Sequence, residues 1–477
     1  MFDTARFFER HMEKSVGCTE PAAIALSSSV AFNAIFGKLP KSLNVDGIGG
    51  AAQRSMPVMD ETARSTDVAE RAALIEEISV LMDSGTFKNA MNAVIPHTDG
   101  KSGADLAAAL GVFCDPEFEL MLFNYLNDEI VRAAMSILNR IHISYEDKDH
   151  IFIRTRVRLS DGTVSECVTK HLHTGIVSVS VNGNPIFASD IAMMDEDLRI
   201  LEGMCVDDFI HVVEKLPENA KVKLKEALKT NISAYEIARD AGCARGVGVI
   251  DVIGGWVGEA AKMVHTAVEC RMSGETMEVM TCAGSGNMGL TASLPLIALH
   301  RHVSAMEEAK EEKERAKKKE RAYGDDEDVL LRAFALAHLI ANFVCVKSGY
   351  LSATCGCAIK AGIGVAAGIA YYLASSGVVD HAEDASGVAD VVKTAINNMA
   401  SDVTGIICEG ASRKCALKAS TAVISAAKSA LLALKGVEFG GIGCAADATV
   451  TLNRVGEIAR SMADTDREIV RMLQMNR

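Results

Sequence analysis

What this sequence most lacks is basic charge. Its 49 Lys and Arg face 63 Asp and Glu, a formal net charge of −14 at pH 7. Phosphate backbones are gripped by clustered cations, so nucleic acid is not an expected partner. Aromatic residues are also few, at 5% with a single Trp, and alanine and glycine fill the apolar segments instead. Such segments predict helices packed at close range. Long unbroken apolar runs are missing as well. One of the longest, 358–374, contains Lys360 and several glycines, which argues against a membrane span. Residues 1–14 are charged throughout, so neither a signal peptide nor a presequence is expected, and the reading is a soluble, cytoplasmic protein.

With 477 residues, 49% of them hydrophobic, the chain can bury large cores, and its length suggests two or three domains. Thirteen cysteines in such a chain are expected to be reduced, some buried and others free to bind metal. Cys408 and Cys415 are separated by Glu-Gly-Ala-Ser-Arg-Lys, a turn across which two thiolates can converge on one metal centre. A disulfide between them is the lesser alternative. Upstream, Leu351-Ser352-Ala353-Thr354-Cys355-Gly356-Cys357 leads into a small-residue helix over 358–374. Its glycines and alanines let neighbouring backbone approach, which suits a cluster wedged between helices. Taken together, these cysteines form a set with iron–sulfur potential, although their spacing matches no ferredoxin pattern.

Along the chain, a short amphipathic helix over 2–14 runs into Val16-Gly17-Cys18-Thr19-Glu20-Pro21. Gly17 releases that helix and Thr19 with Pro21 starts the next, so Cys18 sits at a helix N-terminus, where the dipole favours its thiolate. The alternative is a plain capping turn with a small buried thiol. The next helix, 22–36, is apolar all round and predicted to be buried. Residues 38–67 show no period, and helical patterns resume at 68–82, 104–110 and 116–138. His97, on a polar turn after an extended run, is a candidate to touch substrate, with an ordinary surface histidine as the alternative. From Ile141 the period becomes two. Segments 141–145, 151–159, 164–170 and 176–181 predict an antiparallel meander, with His171 and His173 on one face of a strand. Beyond 190 the pattern is helical, at 207–216, 218–229 and 234–241, and again at 419–434 and 447–475. A dense Lys/Arg/Glu stretch over 307–320 predicts a solvated helix, followed by an acidic loop. Between them, Gly284-Ser285-Gly286-Asn287 opens a helix and offers backbone N–H groups to an anion such as a substrate carboxylate. A plain connection is an equal alternative, and the spacing is not a dinucleotide fingerprint. The expected fold is α+β: residues 1–195 carry the Cys18 helix and the antiparallel sheet, and residues 196–477 form a mainly helical domain. The active site is expected where the two meet.

Four segments read together carry a resemblance. Gly17-Cys18-Thr19-Glu20-Pro21, Gly284-Ser285-Gly286-Asn287, Leu351-Ser352-Ala353-Thr354-Cys355 and the run Cys408 to Lys418 are similar, in that order, to the L-cysteine desulfidase family, related to the iron–sulfur L-serine dehydratase α chain. The resemblance implies a non-redox [4Fe–4S] enzyme, independent of pyridoxal phosphate, that converts L-cysteine to sulfide, pyruvate and ammonia. It implies Cys355, Cys408 and Cys415 as ligands of three irons, with Cys18 near the open iron as a transient ligand or as the base. Thr19, Glu20, Ser285, Gly286, Asn287 and His97 are then the expected substrate contacts. Met288, where relatives often carry His or Gln, and a long 38–82 segment depart from the pattern. Both bear on substrate identity, so L-serine or a related β-hydroxy amino acid is the first alternative. A thiol or iron–sulfur sensor without turnover is the second. A small amino acid is the expected partner, and a homo-oligomer is compatible with the sequence.

Overall fold

The computed structural model describes residues 2–44, 67–189, 196–315, 326–376 and 387–475. Most of the aperiodic 38–67 segment, the start of the acidic loop after 320 and the expected boundary near 195 lie outside them.

The first part of the chain builds a six-stranded sheet in the order β3-β2-β4-β5-β6-β7. Its strands are β2 (Ile75–Asp83), β3 (Ile141–Glu146), β4 (Phe152–Leu159), β5 (Val164–Lys170), β6 (Ile176–Val181) and β7 (Asn184–Ala188). The sheet is mixed. The antiparallel meander holds from β4 to β7, but β3 pairs in parallel with β2, which separates it from β4. The helix expected over 68–82 ends at Leu74, and the rest is this central strand. A register shift between Ile75 and Glu77 explains the misreading: it puts Ile75 and Ile78, three apart, both in the core, and so mimics a helical period.

Helix Thr19–Ile35 is buried along its whole length and packs across β4, β5 and β6. Its Ala, Ser, Ile, Val and Phe side chains leave no polar face, so it lies under cover on all sides. From residue 196 onward the described structure is helical except for the short strand β8 (Glu278–Met280). The two segments expected over 218–229 and 234–241 form one helix, Glu218–Ala241, closed by Gly242 in the left-handed region. Three helical stretches, Glu327–Ser348, Gly356–Ser376 and Cys415–Leu434, are long and apolar enough to cross a membrane by length and composition. In this fold Gly356–Ser376 packs against both of the others, and its apolar window is 100% buried, against 83% for Glu327–Ser348 and 56% for Cys415–Leu434.

Two crossings tie the halves together. Strand β1 (Lys14–Val16) pairs antiparallel with β8, and Phe7, Phe8 and Met12 enter the large helical core, whereas Val470 near the far end packs into the core of the sheet. One expectation about the thiols is corrected. Cys243 and Cys270 are joined in a disulfide, because the turn at Gly242 brings Cys243 back against helix Gly255–Met272 with a Cα–Cα distance of 5.4 Å.

Candidate active site at the Cys18 turn

Gly17, with φ of 70°, ends strand β1 and swings Cys18 into the N-cap position of the buried helix. The Cys18 thiol then lies 2.9 Å from Glu20 Oε2 and donates to it. Thr19 Oγ1 donates to the same oxygen at 3.2 Å, and Asn89 Nδ2 donates to Oε1 at 2.8 Å. Burial works against the Glu20 charge. Facing His173 and accepting from Cys18 and Asn89, the carboxyl nevertheless titrates below its ordinary range. The thiol responds the other way: burial first, and then the Glu20 charge, push Cys18 well above the usual range. The resting group is therefore a thiol. The thiolate expected from the helix terminus alone is overridden by desolvation and a neighbouring carboxylate.

Asn89 carries the network toward the other cysteines, since Cys408 Sγ stands 4.0 Å from its Oδ1. A short backbone exchange clamps two cysteine segments together: Cys408 N–H donates to Ala353 at 2.6 Å, and Cys355 N–H donates to Ile406 at 2.9 Å. Cys415 opens helix Cys415–Leu434 beside them. Cys355, Cys357, Cys408 and Cys415 all lie within electrostatic reach of one another. The hydrogen bond from Cys357, with help from Lys418, brings Cys355 down to about 6, while Cys357 is pushed far up by that same bond and by burial. Burial, followed by the nearby Cys355, takes Cys415 up to about 12. Gly356 has a packing reason to separate Cys355 from Cys357, because a Cβ there would stand 2.9 Å from Met288 Sδ. The thiol group thus abuts the helix opened by the Gly-Ser-Gly-Asn loop.

Four cations surround these sulfurs. Burial disfavours the Lys88 charge, but Cys408, Asp466 and Cys355 outweigh it, and Lys88 also donates to the Ser352 carbonyl at 3.0 Å. Lys360 donates to the carbonyls of Gly349 at 2.5 Å and Tyr350 at 2.8 Å, and feels Cys345, Cys408 and Cys355. Lys418 bonds the Ile407 carbonyl at 2.9 Å. Arg271, 1% exposed, is the fourth, and Cys18, Glu20, Cys357 and Cys415 support its charge against burial. Its guanidinium donates to the Gly17 carbonyl and, at 2.8 Å, to Asn287 Oδ1, while its Nε has no partner. Gly286 packs directly on this guanidinium, and Ser285 caps the helix, its Oγ 3.4 Å from Met288 N.

A ring of contacts therefore runs from Cys18 through Glu20 to His173, on to Gly284, along Ser285, Gly286 and Asn287 to Arg271, and back to Gly17. His97 stands outside it. That residue is exposed, has φ of 62° and bonds Thr276 Oγ1 at 3.0 Å. His171 and His173 also part company: the strand ends at Lys170, and His171, with φ of 65°, stacks on His150, while His173 turns inward. Arg271, Asn89 and Lys88 were given no role from sequence, whereas His173 was named only beside His171 on a strand face, Lys360 only as a charge in an apolar segment and Lys418 only as the end of the Cys408 run. The only local signal at Arg271 is a lone arginine in a mostly apolar helix.

Among the described residues, no three His, Cys, Asp or Glu side chains close around a single metal ion. An iron–sulfur cluster is larger than an ion and its cysteine ligands stand farther apart, so the donor set is judged on its chemistry. Four converging thiols, one of them readily ionised, ringed by three buried cations and the half-buried Lys418 that offset thiolate charge, fit a cluster of this kind.

Sequence comparisons agree with the architecture. The profile described as serine dehydratase alpha chain matches residues 186–471, which include Arg271, the Gly284 loop, Cys355, Cys408 and Cys415, whereas Cys18, Glu20 and His173 precede the match. Whole-length relatives include a UPF0597 protein of Desulfatibacillum aliphaticivorans, 29% identical, covering 96% of this chain and 95% of the relative. One from Desulfotalea psychrophila is 26% identical over 99% and 98%, and one from Thermosipho africanus 27% identical over 97% of each chain. A helical domain of matching extent, with the cysteine set inside it, places this chain in the serine dehydratase alpha chain family.

Proposed function

We propose that the protein is a [4Fe–4S]-dependent, pyridoxal-phosphate-independent lyase that eliminates sulfide from L-cysteine, leaving pyruvate and ammonia after hydrolysis. The observation that carries this reading is the meeting of four thiols with a buried Cys18–Glu20 pair and a buried arginine. Known relatives in the family depend on iron–sulfur clusters. Cys355, Cys408 and Cys415 would hold the cluster. When bound, it supplies a Lewis acid for the β-heteroatom, whose departure is otherwise slow.

The chain's own groups account for the rest. Arg271 offers a buried positive charge and an unpartnered Nε to the substrate carboxylate, beside the N–H groups of the Ser285–Asn287 turn. Cys18 is the base. As its sulfur takes the α-proton, its own proton passes to Glu20 Oε2, 2.9 Å away, a concerted relay in which the disfavoured free thiolate never has to form. The Cα–H pair becomes the Cα–Cβ double bond, and the β-sulfur leaves with its bonding pair. Tautomerisation and hydrolysis of the aminoacrylate give pyruvate and ammonia.

The match to the serine dehydratase alpha chain supports one further reading, the same elimination with hydroxide as the leaving group from L-serine. Side-by-side anaerobic assay of sulfide, pyruvate and ammonia from the two amino acids separates them. Sulfide release from cysteine well above pyruvate formation from serine is expected. The reverse ratio makes the enzyme a serine dehydratase, and turnover of neither amino acid by cluster-loaded protein overturns the lyase reading.

A further inference from the structure

His173 is 3% exposed, and both its ring nitrogens lack a hydrogen-bond partner. Leaving two buried nitrogens unpaired is costly, so their surroundings call for an explanation. The ring is pinned on one side, where Gly284 lies so close to Nδ1 that a Cβ would stand 2.6 Å from it. Gly284 has φ of 72° and follows Ala283 with φ of 48°, a turn that carries the loop over the ring. On the other side, Nε2 faces Glu20 Oε1 at 3.9 Å. That distance is too long for a hydrogen bond between them. It is short enough for one nitrogen donor to reach both acceptors at about 2.9 Å each. Burial outweighs the pull of Glu20 and lowers the His173 pKa, so the ring is neutral and has one lone pair to offer.

We propose that His173 Nε2 and Glu20 Oε1 together hold the α-amino group of the amino-acid substrate, making His173 a specificity-determining residue. The inference rests on the function proposed above and extends it by fixing the direction of the substrate. The amino end lies at Glu20 and His173, and the carboxylate lies at Arg271, on the opposite arc of the same ring. Cα is then left beside Cys18, which donates to the other oxygen of Glu20. A free α-amino group becomes a requirement for tight binding. A β-thiol acid without one keeps only the carboxylate and sulfur contacts.

The test compares L-cysteine with its desamino analogue, 3-mercaptopropionate, on the anaerobic cluster-loaded enzyme. For His173→Phe, KM for L-cysteine is expected to rise about tenfold or more, the usual loss for a hydrogen bond to a charged group. Inhibition by 3-mercaptopropionate should change by less than about twofold. His173→Gln retains an acceptor and should recover most of the L-cysteine affinity. It also serves if His173→Phe folds poorly, which a melting curve reports. Equal weakening of both ligands in the Gln variant would mean a structural role and overturn the proposal, as would an unchanged KM in a folded Phe variant. Wild-type enzyme that turns over no amino acid sinks the functional reading and this inference with it, whereas active wild type with an indifferent His173 sinks only the inference.

Discussion

Asn89 bridges Glu20 and Cys408: its amide nitrogen donates to the carboxylate at 2.8 Å, and its oxygen lies 4.0 Å from the sulfur. The acid–base pair and the thiol group thereby share one short side chain. Substitutions on either side of it should separate into those that affect proton transfer and those that affect metal loading.

Cys18→Ala should retain most of its iron and lose turnover by at least about a hundredfold, the usual contribution of a positioned base. Glu20→Gln should resemble it in kcat, since the thiol then has no carboxylate to take its proton. Iron analysis beside steady-state kinetics checks both, and near-normal turnover in Cys18→Ala would remove Cys18 from the mechanism.

Serine at Cys355, Cys408 or Cys415 should each lower bound iron well below wild type while far-UV dichroism stays helical. Cys357→Ser should keep its iron near the wild-type level, because Cys357 supports Cys355 as a hydrogen-bond donor. Anaerobic iron and acid-labile sulfide measurements decide this, and full iron retention in the first three variants would dismiss them as ligands.

Arg271→Lys keeps the charge but loses the planar fork that reaches the Gly17 carbonyl and Asn287 together. An increase in KM of roughly tenfold or more is expected, with some loss of thermal stability from the unpaired Gly17 carbonyl. A variant with unaltered KM would mean that the carboxylate binds elsewhere.

His338 gives a prediction about acid stability. Burial alone lowers its pKa to about 3, and neither ring nitrogen has a partner. Between that value and the ordinary 6.5, the unfolded chain binds the proton and the folded one does not. Stability is therefore complete above 6.5 and is lost as pH falls through this window, by at most about 1.4 kcal/mol per pH unit from this group. Denaturant titrations of His338→Leu against wild type should show a shallower decline for the variant below pH 6.5, and parallel curves would contradict the assignment.

Sequence made the cysteine set legible because Cys408 and Cys415 sit in one turn, and Gly17 and Pro21 mark the helix start at Cys18. The helical second half was equally plain from its apolar period. Contacts made only by tertiary packing left no such trace. Nothing local to Arg271 points to Gly17, 254 residues away, and nothing near His173 points to Glu20. The bulge in β2 disguised a central strand as a helix, and parallel pairing with β3 was invisible because a meander usually pairs consecutive strands. The Cys243–Cys270 bridge depended on how one helix end folds back on the next.

The crossing of β1 with β8 has a consequence during synthesis. The backbone N–H of Glu13 meets Thr281 across 268 residues of chain, and Lys88 meets Asp466 across 378. At about 5–20 residues per second, a ribosome takes roughly 15–50 s to supply the first of these partners, and longer for the second. Until then the Cys18 turn has no second strand, and Lys88 has no counter-charge beside the thiols. Nascent chains must wait with their apolar Thr19–Ile35 segment made and the Cys18 site unbuilt.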